Sequence, residues 1–334
     1  MENFKSIVAL SYGKDSVATL LKVLEEGWKP EIVFCDTGWE SPELYAYAAY
    51  LNRELDIKVK TLKSNKYADF VDMVIQKKRF PSTKSRFCTS ALKVEPMIDY
   101  LLDDVNGHFI VFQGIRADES SDRSKMNKVC TYFKYYFEPY GYDIKGKAKF
   151  HTYRKQDVFE FAKKYTHDVQ RPVFDYSAEN VFELIKSKGI EPNPLYKKGH
   201  KRVGCYPCIN SNHMDIWNIY NRDPERIQMM IDLENGIGTT FFPPEYVPIR
   251  YATKTVKVPI NQKKWEKYSE EEKDFLREKY QFDGNGYQEV RIEMKVNTTH
   301  DVIRYLTDKH KTGDLFADPQ IDKFSCSSFY NLCE

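Results

Sequence analysis

The stretch from Ile7 to Leu21 limits the folds open to this chain more than any other. Ile7-Val8-Ala9-Leu10 is an apolar run that fits a buried strand; it breaks at Ser11-Tyr12-Gly13, and an amphipathic helix follows at once with Asp15 and Ser16 in its first turn. Glycine permits the sharp turn, the amides at the helix start point outward, and the positive end of the helix dipole favours an anion. Lys14 adds a point charge. Ser11, Gly13, Lys14, Asp15 and Ser16 are therefore candidate phosphate ligands, with an ordinary strand-to-helix turn as the plainer reading. A Walker A loop needs four residues between its glycine and its Gly-Lys pair, so Walker-type kinase chemistry is not expected.

The same alternation continues. Glu31 to Cys35 reads as a second buried strand, and Ser41-Pro42-Glu43 starts a helix with Leu44, Tyr47, Ala48, Leu51 and Leu55 on one face. Ile57 to Leu62 and His108 to Gln113 read as further strands, Arg154 to Tyr165 as a helix, and Ser177 as the cap of another. This order predicts an α/β fold, a parallel sheet wrapped by helices. Ligands of such sheets bind beyond the carboxyl ends of the strands, so Ser11 to Ser16 and Asp36 to Trp39 are expected on one rim. Asp36 and Thr37 join the phosphate candidates there, although a strand-end Asp also serves as a turn former.

At 334 residues the chain is long enough for one large domain or two modest ones. A nucleotide-binding domain is expected over 1–235, with an aromatic and basic insertion at about 126–152, and an α+β extension over 236–334. Asp223 to Leu233 reads as a helix ahead of the extension, and within it Phe241 to Pro248 reads as a linker, Lys267 to Arg277 as a helix, Tyr287 to Val296 as a strand and Thr299 to Asp308 as a capped helix. No apolar run approaches the roughly 18 residues that span a bilayer, and the N-terminus lacks a signal-peptide pattern, so a cytoplasmic protein without membrane partners is expected. The net charge of +2 neither demands nor excludes a nucleic-acid partner.

Seven cysteines in a cytosolic chain point to thiols, metal ligands or catalytic groups rather than disulfides. Lys84, Arg86 and Lys93 place cations around Cys88, which lowers a thiol's pKa and attracts phosphate; a buried inert cysteine is the alternative. Gly114, Arg116 and Arg123 follow a strand, and both arginines suit phosphate as planar forks, with a solvated charge cluster as the plainer reading. Cys205 and Cys208 form a C-x-x-C, and with Cys326 and Cys333 from the tail they make a four-thiolate set for zinc or an iron-sulfur cluster. Cys88 is the competing ligand, and a redox dithiol at Cys205 and Cys208 stays open. The rings from Tyr132 to Tyr142, followed by Lys145, Lys147 and Lys149, suit single-stranded nucleic acid, as they suit a tyrosine-rich hairpin or a dimer face.

Ser11-Tyr12-Gly13-Lys14-Asp15-Ser16 resembles the PP-loop of the N-type ATP pyrophosphatases, Ser-Gly-Gly-x-Asp-Ser, with Tyr12 in place of the first glycine. Asp36-Thr37-Gly38-Trp39, Arg86-Phe87-Cys88-Thr89 with Leu92-Lys93 and Pro96, Gly114-Ile115-Arg116 with Glu119-Ser120, and Asn193-Pro194-Leu195-Tyr196 followed by Arg202-Val203-Gly204-Cys205 and Cys208 are similar to the phosphoadenylyl-sulfate (PAPS) reductase-like branch, including the DndC-type proteins. The likeness covers Ser6 to Trp217 apart from the aromatic insertion. It implies the HUP-like fold of adenine nucleotide alpha hydrolases, ATP and Mg2+, and Lys14, Asp15 and Cys88 as catalytic residues. The implied activity is an ATP-dependent adenylating sulfurtransferase that forms AMP and pyrophosphate, with DNA or RNA as acceptor and a cysteine desulfurase or thiol reductant as partner. A [4Fe-4S] cluster or Zn2+ at the cysteines belongs to the same expectation. The alternatives are a phosphoadenylyl-sulfate reductase forming sulfite, a sulfate adenylyltransferase-like enzyme, and a nucleotide-sensing regulator that binds nucleic acid without catalysis.

Overall fold

A computed structural model describes residues 4–311 apart from 84, 144–145, 261–264, 267 and 281–289. Lys84, Lys145, Cys326 and Cys333 lie outside the described residues. Packing divides the chain between Arg222 and Asp223 into two compact units. The expected boundary at 235 falls instead inside a helix, Pro224–Ile237, which Asp223 caps by accepting the Arg226 amide at 3.1 Å.

The first unit is built on a sheet of β1 (Lys5–Ala9), β2 (Glu31–Cys35), β3 (Val59–Leu62), β4 (Phe109–Phe112), β5 (Val129–Thr131) and β8 (His167–Gln170), in the spatial order β3-β2-β1-β4-β8-β5. All pairings are parallel except that of β5 with β8. Residues alternate between two cores. Ile7 and Ala9 face one that holds Leu101, Phe109 and Phe133, whereas Val8 and Leu10 face the other, with Leu20, Leu44 and Phe112. Helices on both faces explain why β1 and β2 read as unbroken apolar runs.

Helix α1 (Lys14–Glu25) follows β1 and α2 (Pro42–Glu54) follows β2, the latter capped by the Ser41 hydroxyl, which accepts the Leu44 amide at 3.1 Å. The chain steps outward from β1 to β3, then crosses back to place β4 on the far side of β1. The carboxyl ends of β1 and β4 therefore flank a topological switch point, where open α/β sheets leave a crevice.

The aromatic insertion is more ordered than its sequence suggests. Its start supplies β5, which extends the central sheet, and a two-residue pairing of β6 (Gly141–Tyr142) with β7 (Ala148–Lys149) forms a small hairpin. Tyr132 and Phe133 are buried in the core, so these rings are not offered to a ligand, whereas the buried Tyr136 borders a cavity. Phe137, Tyr140 and Tyr142 are the exposed ones.

In the second unit β9 (Lys254–Ile260) pairs antiparallel with β10 (Val290–Val296), accompanied by helices Pro224–Ile237, Glu270–Tyr280 and Thr299–Lys311. Residues 287–289 of the strand expected from Tyr287 lie outside the described residues. The Glu234 carboxylate is buried and accepts the amides of Phe241 (2.7 Å) and Thr299 (2.8 Å), tying two helices together; burial raises its pKa against those hydrogen bonds.

One contact in the first unit fixes the switch point. A Cβ placed on Gly114, just beyond β4, would lie 2.6 Å from the Asp15 carbonyl carbon and the Ser16 amide nitrogen. Those are backbone atoms at the start of α1 and cannot swing away. Gly114→Ala is expected to destabilise the chain by about 1–3 kcal/mol through overpacking, read by urea unfolding; an unchanged midpoint would show that the loop and the β4 end do not pack this closely.

Candidate functional site

The turn after β1 takes its shape from backbone and serine. Tyr12 has φ 63°, the left-handed region in which a glycine rests without strain. Its buried ring packs edge-on to Phe34 at 5.2 Å and its hydroxyl donates to Asn52 Oδ1 at 3.3 Å, so tertiary contacts hold the strained residue in place. Burial raises the Tyr12 pKa, opposed by the Asn52 hydrogen bond. Ser16 Oγ accepts the Ser11 amide (3.1 Å), lies 3.0 Å from Ser11 Oγ and donates to the Gly13 carbonyl (3.0 Å). Gly13 is the N-cap of α1 and, as a glycine, supplies no side-chain cap of its own. The amide of Lys14 donates to the Tyr196 hydroxyl at 2.9 Å, in the place an anion's oxygen would take.

Asp15 is fully buried, with one oxygen 2.5 Å from Arg116 Nε and the other 3.0 Å from Lys14 Nζ. Arg116 also pairs with Asp118, and Arg123, buried in the helix Ser121–Ser124, pairs with Glu119. Both arginines thus face carboxylates from their own neighbourhood, where the sequence reading has them meeting phosphate as open forks. Arg116 is joined to the loop through Asp15; Arg123 shares Glu119 with Arg202, at 3.9 Å.

A second cluster lies at the end of β2. Asp36 accepts the Gly38 amide (3.0 Å) and the Tyr45 hydroxyl (2.7 Å) and faces Lys63 at 3.3 Å. Burial pushes its pKa up, but these hydrogen bonds and the Lys63 charge outweigh it and hold the carboxyl below its ordinary value. Glu40 accepts the Thr37 hydroxyl (2.7 Å) and the Trp39 amide (3.1 Å); burial raises its pKa against the pull of Lys93 and Thr37.

The C-x-x-C segment docks on this strand end. Tyr206 donates its amide to the Trp39 carbonyl (2.8 Å), Trp39 Nε1 donates to the Pro207 carbonyl (2.9 Å), and Cys205 Sγ lies 4.0 Å from Thr37 Oγ1. Cys88, Cys205 and Cys208 line one small cavity with Thr37, Arg86 and Lys93. All three are thiols outside any disulfide. The structure therefore brings together Ser11, Gly13, Lys14, Asp15, Ser16, Gly114 and Arg116 at the switch point, and Thr37 with the three cysteines at the neighbouring strand end.

For a metal, the donor sets among the described residues fall short. Among the described residues no group of three or more His, Cys, Asp or Glu side chains converges as a metal site. Three thiols that share a cavity do not by themselves make the four-thiolate set of a cluster or structural zinc. Asp15, the acid expected to help hold magnesium, has both oxygens in ion pairs.

Three contributors escape the sequence reading. Tyr196 and Asn193 stand in a quoted motif without a role; Asn193, almost fully buried, donates to the Tyr12 carbonyl at 3.5 Å and accepts the Leu195 amide, so the Asn-Pro-Leu-Tyr segment braces the loop. Glu40 is the third, and only its place one residue after Trp39 signals it.

Strand order and switch point define an α/β protein with a mostly parallel central sheet flanked by helices. A sequence profile of the phosphoadenosine phosphosulfate reductase domain matches residues 5–211, and the chain belongs to that family. It is 28% identical over 314 residues to an uncharacterized 37.8 kDa protein of Escherichia phage 186, covering 77% of this chain and 84% of that one. It is 23% identical over 206 residues to the phosphoadenosine 5'-phosphosulfate reductase of Buchnera aphidicola subsp. Acyrthosiphon pisum, covering 59% and 68%. Against the crystal structure of phosphoadenylyl-sulfate reductase from Candida auris the TM-score is 0.40 at 13% identity, covering 62% and 82%. Among the described residues no helix is long and apolar enough to cross a membrane.

The insertion carries its own titration. His151 is packed among Tyr135, Tyr136 and Tyr140, at ring distances of 5.8, 5.8 and 5.1 Å, and burial pushes its pKa down to about 4. The unfolded chain, with a histidine near its ordinary value of about 6.5, takes up that proton first. Stability is thus complete above about pH 6.5 and falls as pH drops towards about 4, by at most about 3 kcal/mol. Urea unfolding across this range should show a smaller loss in His151→Phe than in the unaltered chain; equal losses would contradict a buried neutral imidazole.

Proposed function

We propose that the chain is an ATP-dependent adenylating sulfurtransferase. The observation that carries the reading is a phosphate-loop turn at the end of β1 beside a pocket of three thiols at the end of β2, the strand that pairs with β1. ATP would take the loop with its phosphates at the start of α1, the Tyr196 hydroxyl giving up the Lys14 amide. Lys14 supplies positive charge to the phosphates, and Ser11 and Ser16 hold the turn in shape. Asp15 orients Lys14 and Arg116 towards the same point. An acceptor oxygen attacks the α-phosphorus, the bond from that phosphorus to the bridging oxygen breaks, and pyrophosphate leaves with its electron pair.

The second half-reaction falls to the thiols. A cysteine desulfurase would hand a sulfur atom to Cys88 as a persulfide, whose terminal sulfur displaces AMP and forms a disulfide-linked acceptor. Cys205 or Cys208 then attacks the Cys88 sulfur, which releases the thiolated acceptor and leaves a protein disulfide. A thiol reductant returns two electrons and restores both thiols. Arg86 and Lys93 line the pocket and favour thiolate over thiol.

A second reading, a thiol-dependent sulfonucleotide reductase releasing sulfite, is favoured by the name of the Buchnera relative. It requires no ATP cleavage, and that separates the two. Pyrophosphate release from ATP, followed by a coupled phosphate assay, is expected in the unaltered chain and to fall about 100-fold or more in Lys14→Ala, in the range seen when one charge-stabilising group is removed. Cys88→Ser should keep pyrophosphate release and lose sulfur transfer. Sulfite production from phosphoadenylyl sulfate without any ATP cleavage would overturn the adenylating reading in favour of the reductase.

A further inference from the structure

The insertion walls a second cavity of about 950 Å3, far larger than the thiol pocket. Arg86 and Thr89 line both, so the two spaces are divided by a shared wall. Inside the larger one, the rings of Tyr135, Tyr140 and Phe150 stand among the cations Arg86, Lys125 and Lys134. Tyr140 is half exposed. Glu95, one of the acids on the wall, is answered by Lys66 at 2.8 Å, and Lys125 makes no ion pair among the described residues.

Size and chemistry select the occupant. Ligand pockets run from about 300 to 1,000 Å3, so a cavity at the top of this range would stand mostly empty around an ion as small as sulfite. Rings interleaved with cations match a chain that alternates flat bases with phosphates; an acidic peptide would use the cations and leave the rings idle. A base inside a duplex stack cannot enter such a space, whereas a single strand or an extruded nucleotide can. We infer that this cavity is the acceptor site and takes one or more nucleotides of single-stranded nucleic acid, stacked on Tyr140 with the adjoining phosphate at Lys125, against the wall shared with the thiols. The inference deepens the sulfurtransferase reading by naming its acceptor, and binding itself requires no ATP.

The test is fluorescence anisotropy of the full chain, without ATP, on labelled oligonucleotides of about twelve nucleotides, within the site sizes usual for single-strand binders. Three probes are compared: single-stranded DNA, RNA of the same sequence, and the DNA duplex. At least one single strand is expected to bind about ten-fold or more tightly than the duplex, and the preferred strand identifies the source. Tyr140→Ala should weaken binding about ten-fold, the loss of one stacked base. Lys125→Ala should lower the slope of log affinity against log salt by about 0.7, one phosphate contact. Tyr142→Ala, exposed on the same hairpin but outside the cavity lining, controls for surface effects and should bind as the unaltered chain does. Equal affinity for duplex and single strand, no binding at all, or unchanged binding by both Tyr140→Ala and Lys125→Ala would overturn the inference. A chain that releases pyrophosphate but binds no strand overturns this inference alone; one that binds the strand but leaves ATP intact overturns only the adenylation.

Discussion

The buried ion pair between Asp15 and Arg116 holds the candidate site together. It joins the first turn of α1 to the segment that leaves β4, so the two lips of the crevice cannot move independently. A fully buried carboxylate is costly unless cations answer it, and here Arg116 and Lys14 both do. Its position in the first turn of a helix adds the favourable field of the helix dipole. Removing Arg116 would leave Asp15 to Lys14 alone, and removing Asp15 would leave Arg116 to Asp118 alone. The glycine that lets β4 approach α1 and the arginine that clamps it are two residues apart, Gly114 and Arg116.

From that clamp the rest of the rim is set by pairing. Parallel β1 and β2 lie about 4.8 Å apart, so the residues that leave β2 are delivered beside the loop. Thr37, Trp39 and Glu40 are among them, and they recruit the C-x-x-C segment through backbone bonds at Trp39 and an antiparallel bridge between Glu40 and Cys205. Residues more than 160 positions apart in sequence are thereby neighbours at one strand end, as the 4.0 Å contact of Thr37 with Cys205 records.

Much of this was legible because the signals are local. The limits of β2, the Ser41 cap and the Ser177 capping box depend only on residues within a few positions of each other, and each appears where the chain reads that way. Strand β8, His167 to Gln170, gives no such signal: Val169 is its one aliphatic residue, and it is a strand because β4 pairs with it. Charge also reads ambiguously. Arg116 and Arg123 announce cations, but only folding shows that Asp15, Asp118 and Glu119 answer them. Ring density is equally mute, since Tyr132 and Phe133 enter the core while Tyr140 lines a cavity. Tyr196 stood in plain view in its motif, yet its hydroxyl meets Lys14 across 182 residues.

The most direct test of the account is hydrogen exchange of the full chain with and without ATP and magnesium. Slowed exchange is predicted at the amides of residues 11–17 and 114–116, with residues 223–260 unaffected. Protection confined to other segments, or none at saturating ATP, would contradict a nucleotide site at the crevice between β1 and β4.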